Sequence, residues 1–264
     1  MEINNFSVIN QIFRNHHNLL PRNLRALIVG KSFCGKSTLL YNLLLKPWLD
    51  YENLIVFGKS LHQSEYQIIK NGFDHGFSKE QIVNVFNNQE NLLKAGIDPF
   101  EAIEKYDGPR GREIAAHFYD DCTHIPDPSE LDPRVKNLMV FDDCFLLGKQ
   151  NKSEAYYTRG RHNNCDTIFL SQNYFRLPRQ TIRENCNFLM LFQQDAKNIN
   201  HIYSDHCSDI PLEEFRNFCK HVWKTKHAFI TIDLTSNLDN GKYRKNLDTF
   251  YIPDKLLTSD RDSS

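Results

Sequence analysis

Ala26-Leu27-Ile28-Val29-Gly30-Lys31-Ser32-Phe33-Cys34-Gly35-Lys36-Ser37-Thr38-Leu39-Leu40 carries an apolar run into a leucine-rich one through a turn that holds two glycines. Residues 30–37 read G-x-x-x-x-G-K-S/T, and the surroundings matter more than the letters. Ala26 to Val29 predicts a buried strand, and Leu39, Leu40, Leu43 and Leu44 recur at helical spacing. Strand, turn and helix therefore stand in the order that a phosphate-cradling loop requires. A glycine turn that bound nothing would not need all three in register.

Glycines let successive backbone N–H groups curl around phosphate oxygens, and the helix that begins there turns its positive dipole end toward the same anion. Lys36 is placed to neutralise the β- and γ-phosphates, and the Ser37 hydroxyl to ligate Mg²⁺. Gly30, Lys31, Ser32, Phe33, Cys34, Gly35, Lys36, Ser37 and Thr38 form the expected nucleotide-binding stretch, with Thr38 the member expected to pack.

The 264 residues, 40% of them hydrophobic, suffice for a packed core, and a single nucleotide-binding domain spanning 1–264 with one insertion is the simplest fit. A formal net charge of -1 announces no overall basic field, so any nucleic-acid contact has to come from local patches. The seven cysteines stand singly, at 34, 122, 144, 165, 186, 207 and 219, with no Cys-x-x-Cys pair. That spacing indicates neither a zinc ribbon nor a disulfide framework and points to a reducing compartment. No charged-then-apolar leader is seen and no apolar run approaches the roughly 20 residues that span a bilayer, so a soluble intracellular protein is expected.

Along the chain, residues 1–24 form an N-terminal extension with a weak helical pattern ending near Pro21; its His16-His17 pair is expected at the surface. Leu54 to Phe57 predicts a second strand. Residues 60–134 then read as a mostly helical insertion between core strands, with a capping box at Ser78 and Gln81, a stop at Gly96 and a short helix opened by Asp98-Pro99. Leu138 to Phe141, Thr167 to Leu170, Phe188 to Phe192 and Phe229 to Leu234 predict further strands. Ser153 to His162, Pro178 to Asn185, Ala196 to Tyr203 and Pro211 to Trp223 predict helices, and 254–264 a polar tail. Alternation of strand and helix points to an α/β fold with a mostly parallel sheet covered on both faces.

Three groups around this frame carry chemistry. Asp142-Asp143 closes an apolar strand, where carboxylates face a phosphate loop across a parallel sheet: Asp142 for the Mg²⁺ shell, Asp143 to orient or deprotonate water. A hydrated strand-to-loop corner is the plainer reading of the same pair. Gln172 ends another strand at the same rim, where its amide either touches a γ-phosphate or is merely a polar strand end. Arg161 precedes that strand, so it is expected at the edge opposite its own phosphate site, within reach of a neighbour's nucleotide in a ring; a solvated helix face is the alternative.

Together, Gly30 to Ser37, Leu138 to Asp143, Arg159-Gly160-Arg161-His162, Phe169 to Phe175 and Ile182 to Cys186 resemble the genome-packaging ATPases of poxviruses, other large DNA viruses and virus-like transposons, within the FtsK/HerA superfamily of DNA-pumping motors. The resemblance covers roughly residues 24 to 195 outside the insertion. It implies a RecA-like P-loop core with strand order 5-1-4-3-2, ATP with Mg²⁺ as cofactors, a homo-oligomeric ring of five or six copies, and movement of double-stranded DNA. Capsid or portal-like vertex proteins are the implied anchors, and the host cytoplasm, a viral factory or the virion the implied location. On that match Gln172 is the polar sensor and Arg161 the preferred trans-acting arginine, with Arg159 second. Asp143 departs from the glutamate usual in the wider superfamily, which bears on hydrolysis rate.

DNA contacts are sought among Lys105, Arg110 and Arg112, or Lys242, Arg244 and Lys245, although a plain solvated surface cluster is the simpler reading of either set. His117, Cys122 and His124 lack a fourth partner of suitable spacing and are set aside as a zinc site. A small-molecule kinase and a nucleotide-dependent DNA-binding or scaffolding protein with little hydrolysis are the competing readings.

Overall fold

A computed structural model describes residues 16–111, 114–144 and 151–253. Strand β1 (Arg25–Val29) feeds the glycine loop and helix α1 (Lys36–Leu45), and β2 (Asn53–Gly58) follows. Helices α2 (Ser64–Asp74), α3 (Lys79–Lys94) and α4 (Pro99–Glu104) then lead to β3 (Ala115–Tyr119). After β4 (Asn137–Asp142) come α5 (Asn151–Arg159), β5 (Cys165–Ser171), β6 (Phe188–Leu191), α6 (Ala196–His206) and α7 (Leu212–Val222). Three short strands, β7 (Ile230–Asp233), β8 (Tyr243–Lys245) and β9 (Thr249–Tyr251), end the described chain.

Among the described residues one sheet holds nine strands in the order β3-β2-β4-β5-β1-β6-β7-β8-β9. Pairing is parallel from β3 to β6 and antiparallel from β6 to β9. Read over the five core strands β1, β2, β4, β5 and β6, that order is 5-1-4-3-2, so the fold is a RecA-like P-loop α/β arrangement with a helical insertion. Both faces are covered, which is why the core strands are apolar throughout rather than alternating. Ala26 and Ile28 of β1 pack with Leu40, Leu43 and Leu44 of α1 and Tyr66 of α2. Leu27 and Val29 point the other way, toward Tyr157 of α5 and Phe215 of α7.

The insertion is helical as expected, and the box at Ser78 and Gln81 forms with both reciprocal bonds. It also contributes β3, which the sequence pattern had not marked. The tail strands β8 and β9 were likewise unmarked, and Arg179–Arg183 winds as a single π-helical turn. Several expectations are corrected. His16 is buried, its Nε2 2.6 Å from Asp166 Oδ2, in a site that also takes Lys136 Nζ at 2.6 Å, because a carboxylate at the sheet's amino edge needs compensating donors. Cys122 and Cys144 are paired in a disulfide with Cα atoms 6.4 Å apart, a contact between residues 22 apart that linear spacing does not reveal. Residues 16–24 form turns rather than helix, and the earlier part of the extension, the tail 254–264 and Arg112 lie outside the described residues. No helix among the described residues is long and apolar enough to cross a membrane.

Candidate functional site

The glycine loop leaves the sheet between β5 and β6: the Gly30 N–H donates to Ser171 O at 3.0 Å, and the Phe192 N–H to Val29 O at 2.9 Å. A Cβ on Gly30 would stand 2.6 Å from Cys34 Sγ and 2.7 Å from Phe192 Cβ, so only glycine lets the chain pass. Gly35 takes φ 110° immediately before α1, a left-handed conformation suited to glycine. Phe33 does the same at φ 62° without that excuse, and its side chain is 99% exposed at the loop tip.

Helix α1 starts with no acidic residue in its first turn and no side-chain cap from Gly35. Its leading N–H donors and positive dipole end are therefore open to an external anion. Lys36 folds back over the loop, Nζ donating to Gly30 O at 2.7 Å and to Lys31 O at 3.0 Å.

Across the sheet, β4 delivers the acid pair. Asp142 accepts a hydrogen bond from the Tyr66 hydroxyl at 2.6 Å. Burial raises its pKa and the neighbouring Asp143 charge adds to the rise, while the Tyr66 bond and Lys36 oppose it. Asp143 turns out of the strand at φ 51°. Its Oδ2 accepts from Gln172 Nε2 at 2.8 Å, and Gln172 Oε1 in turn accepts from Ser32 Oγ at 3.4 Å. Gln172 thus spans the gap between loop and acid pair.

These groups share one cleft of about 1220 Å³, lined by Ser32, Phe33, Gly35, Lys36, Ser37, Thr38, Asp142, Asp143 and Gln172. Gly30, Lys31 and Cys34 belong to the loop but do not line the cleft. Thr38 is exposed in the cleft instead of packed, because it sits on the open side of the first turn. Ser37 and Asp142 offer oxygen ligands, the kind a hard divalent cation takes, so the side chains present fit Mg²⁺.

The other candidates lie elsewhere. Arg161 stands in the short 3₁₀ turn Gly160–Asn163 ahead of β5, at the amino edge of the sheet and away from its own cleft. Arg159 pairs with Asp127 at 2.8 Å. Arg244 is excluded as a DNA contact: it is buried, donating to Asp233 Oδ2 at 2.6 Å and to Leu19 O at 2.6 Å. Lys242 pairs with Asp209 and Lys105 with Glu101, while Arg110 lies over the Phe77 and Tyr106 rings. Cys122 is engaged with Cys144, and His124 Nδ1 lies 2.9 Å from Asp121 Oδ2.

Sequence reasoning missed two flanks of the cleft. Ser60 and Gln63 enter from the β2–α2 turn, Glu65 from the first turn of α2, and His227, Asn246 and Asp248 from the antiparallel tail. The exposed Gln63 and Glu65 stand on no periodic face and had no signal; the tail residues flank strands of only three or four residues. Beside Gln172, Tyr174 packs its hydroxyl 2.9 Å from Asp205 Oδ2 and 2.8 Å from His206 Nε2. Burial lowers the pKa of His206 to about 4, so the ring is neutral there.

No protein-family profile and no curated protein matches the chain. Among solved structures it is similar to the genome packaging NTPase B204 of Sulfolobus turreted icosahedral virus 2. The complex of B204 with ATP-gammaS aligns at 13% identity and TM-score 0.50, over 87% of this chain and 98% of that one. Its complex with sulfate aligns at 10% identity and TM-score 0.50, over 88% and 98%. At such identity the likeness is one of fold.

Proposed function

We propose that the protein is an Mg²⁺-dependent ATPase of the FtsK/HerA type that drives double-stranded DNA into a viral capsid as a homo-oligomeric ring. The observation that carries this reading is the Ser32–Gln172–Asp143 bridge, because it joins phosphate loop, sensor position and acid pair across one cleft. The fold shared with B204, whose own name is that of a genome packaging NTPase, agrees with it.

In this reading the backbone of the glycine loop and Lys36 cradle the phosphates, and Ser37 and Asp142 would hold Mg²⁺, which would supply positive charge to offset that of the phosphates. Asp143 orients water for attack on the γ-phosphorus and takes its proton, as the bond from that phosphorus to the bridging oxygen breaks and ADP leaves. The Gln172 amide nitrogen, which here donates to Asp143, turns to donate to the γ-phosphate and so registers whether that group is present. Arg161, remote from its own cleft, serves a neighbouring copy in the ring by meeting the charge that develops on the transferred group.

Phosphate release measured on size-fractionated protein, with and without linear double-stranded DNA, tests the proposal. Hydrolysis is expected to rise with DNA and to vanish in Lys36→Ala, while Asp143→Asn binds ATP without turning it over. Absence of stimulation by any nucleic acid rejects the motor.

A further inference from the structure

The order of strands leaves a bound triphosphate one way to lie. β5 and β4, which carry Gln172 and Asp142, flank β1 on one side, and β6, β7, β8 and β9 extend on the other. With its terminal phosphate facing Gln172 and Asp143, the nucleotide has to leave the loop toward β6 and the antiparallel tail. The cleft continues in that direction, along the α1 face that presents Leu39 and Asn42.

The walls there differ in character from the phosphate end. Phe192 and Phe229 stand with ring centres 5.4 Å apart and form an apolar side. His227, exposed and at φ 62°, has its Nδ1 3.1 Å from the Cys34 carbonyl, which ties the tail to the back of the phosphate loop. Asn246, at φ 55°, is fixed against Phe229, the residue just ahead of β7: its N–H donates to Phe229 O at 2.8 Å, and its Oδ1 accepts from the Phe229 N–H at 3.3 Å. With the amide oxygen engaged, the amide NH₂ is the group left to donate into the cleft. Two residues on, the exposed carboxylate of Asp248 can only accept. An apolar wall beside one fixed donor and one acceptor is the chemistry of a base and ribose, whose edges carry both kinds of group.

We infer that the Asn246–Asp248 turn, with Phe192, Phe229 and His227, forms the nucleoside subsite of the cleft, Asn246 and Asp248 making its polar contacts. The inference rests on the ATPase reading, since that reading sets the direction of the phosphates. The tail, which lies outside the stretch of motif resemblance, thereby sets the ligand class as a nucleoside triphosphate rather than any polyphosphate.

The test compares the affinity of the whole protein for ATP and for inorganic tripolyphosphate, each in Mg²⁺ buffer, in wild type, Asp248→Ala and Asn246→Gly. Asp248 is exposed, so its removal leaves the fold intact, and glycine accepts the φ of Asn246. Each variant is expected to bind ATP roughly three- to tenfold more weakly, the worth of one hydrogen bond, with tripolyphosphate affinity unchanged. Unaltered ATP affinity in both variants overturns the subsite and leaves the phosphate-loop reading standing. An equal loss for tripolyphosphate overturns it as well, by showing damage to the loop. A wild type that binds neither compound overturns subsite and ATPase reading together.

Discussion

Gln172 is held at both ends, by Ser32 and by Asp143, and the segment after it is anchored just as firmly. Tyr174, two residues on, reaches Asp205 and His206, and Asp205 also takes Arg183 at 2.7 Å. Charging His206 would put a second cation beside Arg183 in a dry pocket. Its folded-state pKa of about 4 lies below the ordinary value of 6.5, so the folded protein binds fewer protons than the unfolded chain between those limits. The stability it supports is present above pH 6.5 and lost as pH falls toward 4, by about 1.4 kcal/mol for each pH unit crossed at most. Thermal melts from pH 7.5 to 4.5 should therefore fall less steeply for His206→Gln than for wild type; identical profiles would contradict the assignment. At this scale the sequence was legible where backbone demands a residue type, as at Gly30 and Gly35. It was opaque where a partner comes from far along the chain: nothing in the letters joins Tyr66 to Asp142, or His16 to Asp166.

The antiparallel tail depends on one buried ion pair. Arg244 of β8 and Asp233 of β7 lie 2.6 Å apart with both side chains almost fully enclosed, and the same guanidinium holds the Leu19 carbonyl. Removing one partner strands the other charge in a dry environment, which costs about 3–5 kcal/mol. Arg244→Ala should lower the unfolding free energy measured in denaturant by that amount, whereas substitution of the exposed Lys31 should leave it nearly unchanged. A loss under 1 kcal/mol for Arg244→Ala would show that the tail is not held in this way. The sequence displayed the long parallel strands because their residues are buried on both faces and form unbroken apolar runs. β3 has no fully buried residue, and β8 and β9 have three residues each, too few for a period to register. For the same reason Arg244 read as part of a surface cluster, when its position in a short central strand buries it.

On the scale of the molecule, the right side of the sheet can be told from the left by what each brings to the cleft. β4 and β5 supply acids and an amide, β1 supplies the loop, and β6 to β9 supply an apolar and polar wall. The core order was reached from motif resemblance, and the facing of Lys36 and Asp142 from the apolar strand that closes on Asp142-Asp143. The disulfide and the tail's share of the cleft follow from neither, since both are matters of tertiary proximity. The central claim is that loop and acid pair grip one triphosphate together with its metal. Calorimetric titration of ATP into wild type, Lys36→Ala and Asp142→Asn, each with Mg²⁺ and with EDTA, tests it most directly. Wild type should bind more tightly with Mg²⁺; Lys36→Ala should lose at least tenfold, about 1.4 kcal/mol, in both buffers; and Asp142→Asn should lose only the gain that Mg²⁺ confers. Equal affinity in all three proteins, with Mg²⁺ making no difference to any of them, would contradict it.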